Sequence, residues 1–231
     1  RPVAVVYRGP ASECEGDGCS EAVFNLIKKS PLNFKVSYIG PNEAKKLTAA
    51  NLKGVDLYAQ PGGDDDAEGA MRTLRKNGQD KAIKDFVKAG GHYVGFCMGA
   101  YLAGSDPGMN LLGYGGTPGN TDEYSSTNGA LVDGDEEAVI PLEWGSERRY
   151  MYVQAAPYII PSKVAGERIL SRFTNGKINA LVRPVGRGSV GVVGSHPEAD
   201  RSWYSNKLWK KDLDGLDDAQ GLELIAVTMG N

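Results

Sequence analysis

The sequence predicts an α/β protein, built as a three-layer α/β/α sandwich around a mostly parallel sheet, with an additional β-rich region in the second half. Short apolar runs alternate with helical patterns in the first half of the chain. Such alternation implies parallel strands joined by right-handed crossovers. Strand patterns dominate the second half, and the 31 glycines of the 231 residues cluster where strands are predicted to end.

Four apolar runs in the first half are predicted to be buried strands. The first three end at Gly-Pro or Pro-Gly-Gly turn signals, and the fourth runs directly into Cys97. They cover residues 3–7, 34–39, 55–60 and 92–96.

Helical patterns lie between and after these strands. The first has Ser20 as a natural N-cap and Pro31 as a stop, and a later one ends at a glycine pair. Helices are predicted at residues 20–29, 48–52 (a single turn), 79–89 and 98–103.

The second half begins with a glycine-rich segment, residues 113–134, that is predicted to be a long surface loop. Strands are then predicted at residues 138–142, 150–153, 168–173, 178–184 and 189–193, and a closing helix at 222–229. No internal repeat or long linker divides the sequence, so a single domain spanning residues 1–231 is expected.

The charge balance limits the partners to be expected. Lysine and arginine number 26 and aspartate and glutamate 29, a formal net charge of −3. Surfaces for nucleic acid or anionic membranes normally carry excess positive charge, and the apolar runs are shorter than the roughly 20 residues that cross a bilayer. No nucleic-acid or membrane partner is expected, and the oligomeric state is not predicted.

The three cysteines fall into two groups. Cys14 and Cys19 lie in a polar, glycine-rich loop in which a short disulfide is expected, whereas Cys97 has apolar and glycine neighbours. The chain has only two histidines, neither near this loop, so no metal or cofactor is expected. Disulfides persist mainly in oxidising compartments, and the sequence starts at Arg1 without an initiator methionine. These features favour a secreted or extracytoplasmic protein, with a cytoplasmic location as the alternative.

The segment Gly95-Phe96-Cys97-Met98-Gly99 has the form G-x-nucleophile-x-G at a predicted strand-to-helix turn. Side chains two residues either side of such a strained turn would clash, and the following helix N-terminus stabilises a thiolate. The alternative is that Cys97 is a small buried apolar residue flanked by turn glycines.

A histidine suited to act as base follows a later predicted strand. His196 lies just after that strand and Glu198 two residues further on, a spacing that suits a base held in one tautomer by its orienter. His92, at the far end of the strand that leads to Cys97, is interpreted as structural. The sequence therefore favours a triad of Cys97, His196 and Glu198.

Two backbone N–H groups are candidates for an oxyanion hole. One belongs to Met98, the residue after the nucleophile, and the other to Gly63 or Gly62 in the Pro-Gly-Gly turn after residues 55–60. Pro-Gly-Gly is also an ordinary turn, but ligands of open α/β sheets bind at this carboxyl edge of the strands.

Together these motifs resemble the class I glutamine amidotransferase-like superfamily, in which they occur in the same order. Residues 5–10, 60–64 and 90–97 are most similar to the N-terminal domain of some biotin-protein ligases and its stand-alone relatives. The resemblance implies a flavodoxin-like sheet and a cysteine that attacks an amide or related carbonyl to form a thioester. It also implies that His196 is the acid–base group, Glu198 its orienter, and Gly63 and Met98 the oxyanion donors.

The substrate is less clear, because this chain departs from the glutaminase pattern G-x-C-x-G-x-Q. Tyr101 stands where that pattern has the glutamine-binding Gln. Candidate substrate-binding residues are Gly62, Asp64, Tyr101 and Gln154, with Tyr124 and Tyr158 as further pocket candidates. The Asp64-Asp65-Asp66 run is interpreted as a solvated loop or helix cap, or as part of a site for a cationic group.

The function predicted from the sequence is that of a stand-alone cysteine hydrolase or amidotransferase-like enzyme that acts on a small-molecule or peptide amide. The alternative is a non-catalytic relative that uses the same scaffold to bind a ligand or a partner protein. A reactive Cys97 would favour the enzyme, and an inert one the binding protein. The basic and aromatic residues at 148–150 and 203–211 are interpreted as a solvated edge.

Overall fold

The computed structural model describes residues 1–16, 18–64 and 66–231 of the chain. Asp65, the middle residue of the aspartate run, lies outside the described residues. The strands are β1 Val3–Tyr7, β2 Lys35–Ile39, β3 Leu57–Gln60, β4 His92–Phe96, β5 Asn120–Glu123, β6 Ala138–Trp144, β7 Glu147–Val153, β8 Pro157–Ile160, β9 Arg168–Phe173, β10 Ile178–Val185 and β11 Gly188–Val193. The helices are α1 Gly18–Lys28, α2 Ala67–Lys76, α3 Gln79–Lys88, α4 Met98–Ala103, α5 Asn206–Trp209 and α6 Asp218–Thr228.

A single mixed sheet contains all of these strands. Five of them, in the order β2-β1-β3-β4-β11, are parallel to their neighbours. This is the flavodoxin-like order 2-1-3-4-5, with β11 as the fifth strand. The sheet continues through β10, β9, β6 and β7 in antiparallel pairs, and β8 and β5 branch from β10. The predicted fold class, including the β-rich second half, is confirmed.

Helices cover both faces of the parallel part. Successive side chains of a strand point to opposite faces, so Val5 and Tyr7 pack with α2, α3 and α4, whereas Ala4 and Val6 pack with α1 and α6. The three layers thus follow from two buried faces on each parallel strand.

Two smaller apolar clusters hold the antiparallel part together. In one, Tyr124 stacks on Phe173 with ring centroids 3.9 Å apart. In the other, Tyr204 and Leu208 from the segment around α5 pack on Val139 and Tyr152 of β6 and β7. This second cluster also supports the candidate site, because Tyr152 lies beside His196.

Several elements differ from the sequence predictions. Residues 48–52 form turns rather than a helix, because the single bond from the Leu52 N–H to the Thr48 carbonyl is not followed by further helical bonds. Helix α2 was not predicted, although the Asp66 carboxylate caps it by accepting a bond from the Gly69 N–H at 2.7 Å. The expected 113–134 loop contains β5, whose partner β8 was also not predicted.

No helix in the described ranges is both long enough and apolar enough to cross a membrane.

Candidate active site

The residues singled out by the sequence converge at the carboxyl ends of the parallel strands. Gly62 and Gly63 follow β3, Cys97 follows β4, and His196 and Glu198 follow β11. Since β3, β4 and β11 are adjacent and parallel, their loops meet at one edge of the sheet, where open α/β folds bind ligands.

Cys97 has a strained backbone between β4 and α4. Its φ is +48° and its ψ −101°, an unusual conformation for a residue with a side chain. A Cβ on Gly95 would lie 2.4 Å from the Gly99 carbonyl oxygen, and one on Gly99 would lie 2.2 Å from the Gln60 carbonyl oxygen. Both neighbours are backbone atoms that cannot move aside. Only glycine fits at the two positions, and the turn places the sulfur at the start of α4.

His196 and Glu198 form a buried pair. Nδ1 of His196 lies 2.8 Å from Oε1 of Glu198, so Nε2 is the ring nitrogen left to exchange a proton with another group. His196 is 5% exposed and Glu198 2%. Oε2 of Glu198 has no hydrogen-bond partner within residues 1–16, 18–64 and 66–231. The carboxylate is therefore committed to the histidine.

The Cys97 sulfur is the second group that acts on His196. Burial alone would lower the pKa of this histidine, but the Glu198 carboxylate and the Cys97 sulfur outweigh it, through charge and hydrogen bonding, and raise the pKa to about 10. At neutral pH the imidazole therefore favours its protonated form. The structure brings Cys97, His196 and Glu198 together in that order.

The imidazole is fixed by its surroundings as well. The His196 N–H donates to the Tyr152 carbonyl at 2.9 Å. The rings of Tyr152 and Trp203 pack against the imidazole, with centroid separations of 5.8 and 5.1 Å. No sequence pattern indicated a role for Tyr152, and Trp203 was interpreted as part of a solvated edge, so only the fold reveals their position beside the histidine.

The Pro-Gly-Gly turn lies against the nucleophile. A Cβ on Gly62 would lie 3.2 Å from Cε1 of His196 and 3.8 Å from the Cβ of Cys97. A Cβ on Gly63 would lie 3.4 Å from Cγ of Met98. The backbone N–H groups of Gly63 and Met98 have no hydrogen-bond acceptor in the described part of the chain. Gly63 and Met98, which lie side by side in the fold near Cys97, thus each have a backbone N–H group that is free to bind an oxyanion.

A disulfide joins Cys14 and Cys19 next to this turn, with their Cα atoms 5.9 Å apart. The Gly62 Cβ position lies 3.4 Å from Sγ of Cys19, so the bridge borders the same glycine that borders His196 and Cys97. Cys97 itself carries a free thiol.

A short segment between β7 and β8, which we call the strap, covers the thiol. It consists of Gln154 and Ala155. The Gln154 carbonyl accepts a hydrogen bond from the Cys97 sulfur at 3.6 Å, and the Ala155 carbonyl accepts one from the Tyr101 hydroxyl at 2.9 Å. Ala155 has a φ of +45°, which L-residues rarely adopt. Cys97 is 6% exposed beneath this cover.

The predicted substrate-binding residues do not form one group. The Tyr101 hydroxyl binds the strap at the Ala155 carbonyl, and the Gln154 carbonyl faces the Cys97 sulfur. The Gln154 side chain points elsewhere, because its amide donates to the Asp135 carbonyl at 3.1 Å. Asp64 is exposed beside Gly63. Tyr158, a further pocket candidate, donates to Asp122 at 3.0 Å.

The other histidine lies far from this site. His92 is at the opposite end of β4, where its Nδ1 lies 2.7 Å from the Ser189 hydroxyl. Among the described residues, no group of three or more histidine, cysteine, aspartate or glutamate side chains is arranged to hold a metal ion.

Comparison with known proteins gives one family match and several solved structures of similar fold. Residues 5–108 match the family described as biotin-protein ligase, N terminal. No curated protein matches the sequence significantly. A glutamine amidotransferase from Thermotoga maritima superposes with a TM-score of 0.58 at 16% identity, covering 100% of this chain and 99% of its own. PurLQS from the same organism gives 0.55 at 16% identity, covering 98% of each chain. At such identities the structural likeness shows the fold alone.

Proposed function

We propose that this chain is a cysteine hydrolase or amidotransferase-like enzyme of the class I glutamine amidotransferase-like superfamily. The match of residues 5–108 to the biotin-protein ligase N-terminal family and the likeness of the fold to that of glutamine amidotransferases support the proposal. The substrate of the enzyme is an amide or related carbonyl compound, and the reaction passes through a thioester on Cys97. One observation carries the proposal: a strained cysteine at a helix start lies beside a buried histidine whose other nitrogen is held by a buried glutamate.

The proposed first step is attack of the Cys97 thiolate on the carbonyl carbon. A C–S bond forms and the carbonyl oxygen becomes an oxyanion, which the N–H groups of Gly63 and Met98 would bind. Preorganised donors of this kind are worth about 10²–10³ in rate each. The protonated His196 then gives its Nε2 proton to the departing nitrogen, the C–N bond breaks, and the thioester remains.

In the proposed second step, neutral His196 takes a proton from water as the water attacks the thioester. The C–S bond breaks, the acid product leaves, and the proton returns the site to its starting state. An amine in place of water would give group transfer instead. Glu198 holds Nδ1 throughout, which keeps Nε2 directed at the reacting atoms.

Alkylation of Cys97 by iodoacetamide tests the activation directly, because the thiolate is the form that reacts. We would follow the reaction by intact mass from pH 5 to 9 in the wild type, in His196→Ala and in His92→Ala. The last variant is the matched control, since His92 is the chain's other histidine and lies at the far end of β4.

We expect His196→Ala to react at least tenfold more slowly than wild type at pH 6, and His92→Ala to react at the wild-type rate. The proposal fails if wild-type Cys97 is inert, or if its rate and pH profile are unchanged in His196→Ala. An inert thiol would favour the second candidate function, a ligand-binding relative of the same fold. The cover of the strap over the sulfur is the observation that favours this candidate.

A further inference from the structure

All three cysteines of the chain lie at the candidate site. Cys97 carries the free thiol, and Cys14 and Cys19 form the disulfide beside the Pro-Gly-Gly turn. The chemical steps proposed above use only the thiol. They leave the disulfide at its side without a part in the reaction, although a thiolate and a disulfide are able to react with each other.

Gly62 lies between the thiol and the disulfide without filling the space that separates them. The three atoms nearest to the position of a Cβ on this glycine are Cε1 of His196 at 3.2 Å, Sγ of Cys19 at 3.4 Å and Cβ of Cys97 at 3.8 Å. The bridge sulfur and the carbon that carries the thiol thus lie within 4 Å of one shared point. Because residue 62 is a glycine, it places no side chain at that point.

The disulfide presents its Cys19 sulfur to this space and holds its Cys14 sulfur at the start of α1. The Cys14 sulfur accepts a hydrogen bond from the Cys19 N–H at 2.9 Å. Cys19 is the second residue of α1, so this N–H is one of the donors that have no partner within the helix. Such a donor and the positive end of the helix dipole stabilise negative charge on a sulfur. Attack on Cys19 would therefore release a stabilised leaving group.

His196 prepares the Cys97 sulfur for this attack as well as for catalysis. The imidazole is hydrogen-bonded to the sulfur and favours its protonated form at neutral pH, which stabilises the thiolate. The thiolate is the form that exchanges with a disulfide. Both reactants of an exchange, an activated thiolate and a disulfide with a stabilised leaving sulfur, are thus present on the two sides of Gly62.

We propose that the three cysteines form an exchange site, in which Cys97 attacks the Cys19 sulfur and thereby switches its own thiol off. Rotation about the Cα–Cβ bond of Cys97 and an approach of the disulfide loop bring the two sulfurs into contact. An S–S bond forms between Cys97 and Cys19, the bond between Cys14 and Cys19 breaks, and its electron pair leaves on the Cys14 sulfur. One disulfide replaces another, so the step consumes no oxidant, and His196 keeps its proton.

The exchange moves the free thiol from a buried position to a more accessible one. Cys97 and Cys19 are both buried, whereas Cys14 is partly exposed. The bridge between Cys14 and Cys19 is the resting form, and the exchanged form persists once an alkylating electrophile has captured the Cys14 thiolate. Cys97 is then blocked until a reducing thiol opens its new bridge. This inference rests on the proposed function, since the thiol that is switched off is the proposed nucleophile.

The cysteine that holds the free thiol is identified by alkylation and mapping. We would treat the unreduced wild type with iodoacetamide at pH 7, quench in acid, digest with pepsin and map the peptides by mass. We expect two products: one labelled at Cys97 with the native bridge intact, and one labelled at Cys14 with Cys19 bonded to Cys97. Cys97→Ala is the control. Its bridge has no attacking thiol, so the label on Cys14 should fall at least tenfold.

A matched pair of variants tests which bridge sulfur meets the thiol. Cys14→Ser and Cys19→Ser both lose the native disulfide, and each keeps Cys97 and one other cysteine. With oxidised glutathione as the oxidant, we expect the bond between Cys19 and Cys97 in Cys14→Ser to form at least tenfold faster than the bond between Cys14 and Cys97 in Cys19→Ser. The new bond should abolish alkylation of Cys97, and dithiothreitol should restore it.

The results that would overturn the exchange are distinct from failure of the proposed function. If wild-type Cys97 is alkylated readily but no molecule carries a bond between Cys19 and Cys97, or if the two variants form their bonds at equal rates, the exchange does not occur while the nucleophile stands. If Cys97 is inert in the wild type and in both serine variants, the proposed function fails and the exchange fails with it.

Discussion

The parallel and antiparallel parts of the sheet contribute to the candidate site in different ways. The parallel part supplies the groups that would do chemistry, each from the end of a buried strand: the Pro-Gly-Gly turn, Cys97, and the pair His196 and Glu198. The antiparallel part supplies the cover over Cys97, from the strap and from the loop before β6. The candidate reacting groups thus follow buried strands, and the cover over Cys97 comes from connections between strands.

The two parts also differ in how their backbones are constrained. Around Cys97 the backbone is so close that Gly95 and Gly99 admit no side chain. In the strap, by contrast, Ala155 holds a φ of +45°. Cys97 and Ala155 thus both have strained backbones, but only the turn at Cys97 is enclosed by backbone atoms that leave no room for side chains on its two glycines.

Substitution of Gly99, in the parallel part, should reduce the stability of the protein more than any other change considered below. We expect Gly99→Ala to lower the free energy of unfolding by about 3 kcal/mol, because its Cβ would lie 2.2 Å from the Gln60 carbonyl oxygen. Urea denaturation measures the change. Gly18→Ala in α1 is the control, since nothing lies within 4 Å of its Cβ position, and it should be neutral or slightly stabilising. Equal stability of Gly99→Ala and Gly18→Ala would contradict the close backbone packing around the turn at Cys97.

Loss of the disulfide should have the next largest effect. Cys14→Ala/Cys19→Ala is expected to reduce stability by about 2 kcal/mol, the value for a short closed loop. Because Cys19 borders Gly62, we also expect slower alkylation of Cys97. Thermal melting and intact mass measure both quantities, with Cys97→Ala as the stability control. An unchanged alkylation rate would show that the bridge does not support the turn.

The strap should be loosened by removal of one hydroxyl group. Tyr101→Phe deletes the bond to the Ala155 carbonyl, worth about 1 kcal/mol. Opening of the strap should become easier, so iodoacetamide should alkylate Cys97 about two- to tenfold faster. Tyr114→Phe, at an exposed tyrosine, is the control and should leave the rate unchanged. A slower reaction in Tyr101→Phe would mean that the hydroxyl assists the thiol instead of holding its cover.

The smallest effect concerns pH and stability. The pKa of His196 is raised from 6.5 to about 10 in the fold, so its contribution to stability is complete below pH 6.5 and is lost as pH rises toward 10. The Tm advantage of wild type over His196→Gln should therefore narrow between pH 6.5 and 10. An advantage that is constant, or that grows with pH, would show that the histidine is neutral in the native protein.

The contrast between the two parts also explains what the sequence reveals. Cys97, His196 and Gly63 were identifiable because strained turns at strand ends restrict the residue types that fit, and such restrictions leave glycine patterns. The strap left no pattern: Gln154 meets the thiol through its carbonyl, which every residue has, and Ala155 holds a conformation for which glycine would be expected. Tyr152 reaches His196 only through the pairing of distant strands, and β5 and β8 were hidden in a glycine-rich stretch and in a short apolar run.

Trapping the thioester tests directly whether Cys97 is a nucleophile that becomes acylated. Protein mixed with p-nitrophenyl acetate is quenched in acid, digested with pepsin and mapped by mass, with Cys97→Ala treated in parallel. We expect one acetyl group on the peptide that contains Cys97, formed in a burst equal to the enzyme concentration and absent from the variant. Acetyl groups confined to lysines and equal in both proteins would contradict it.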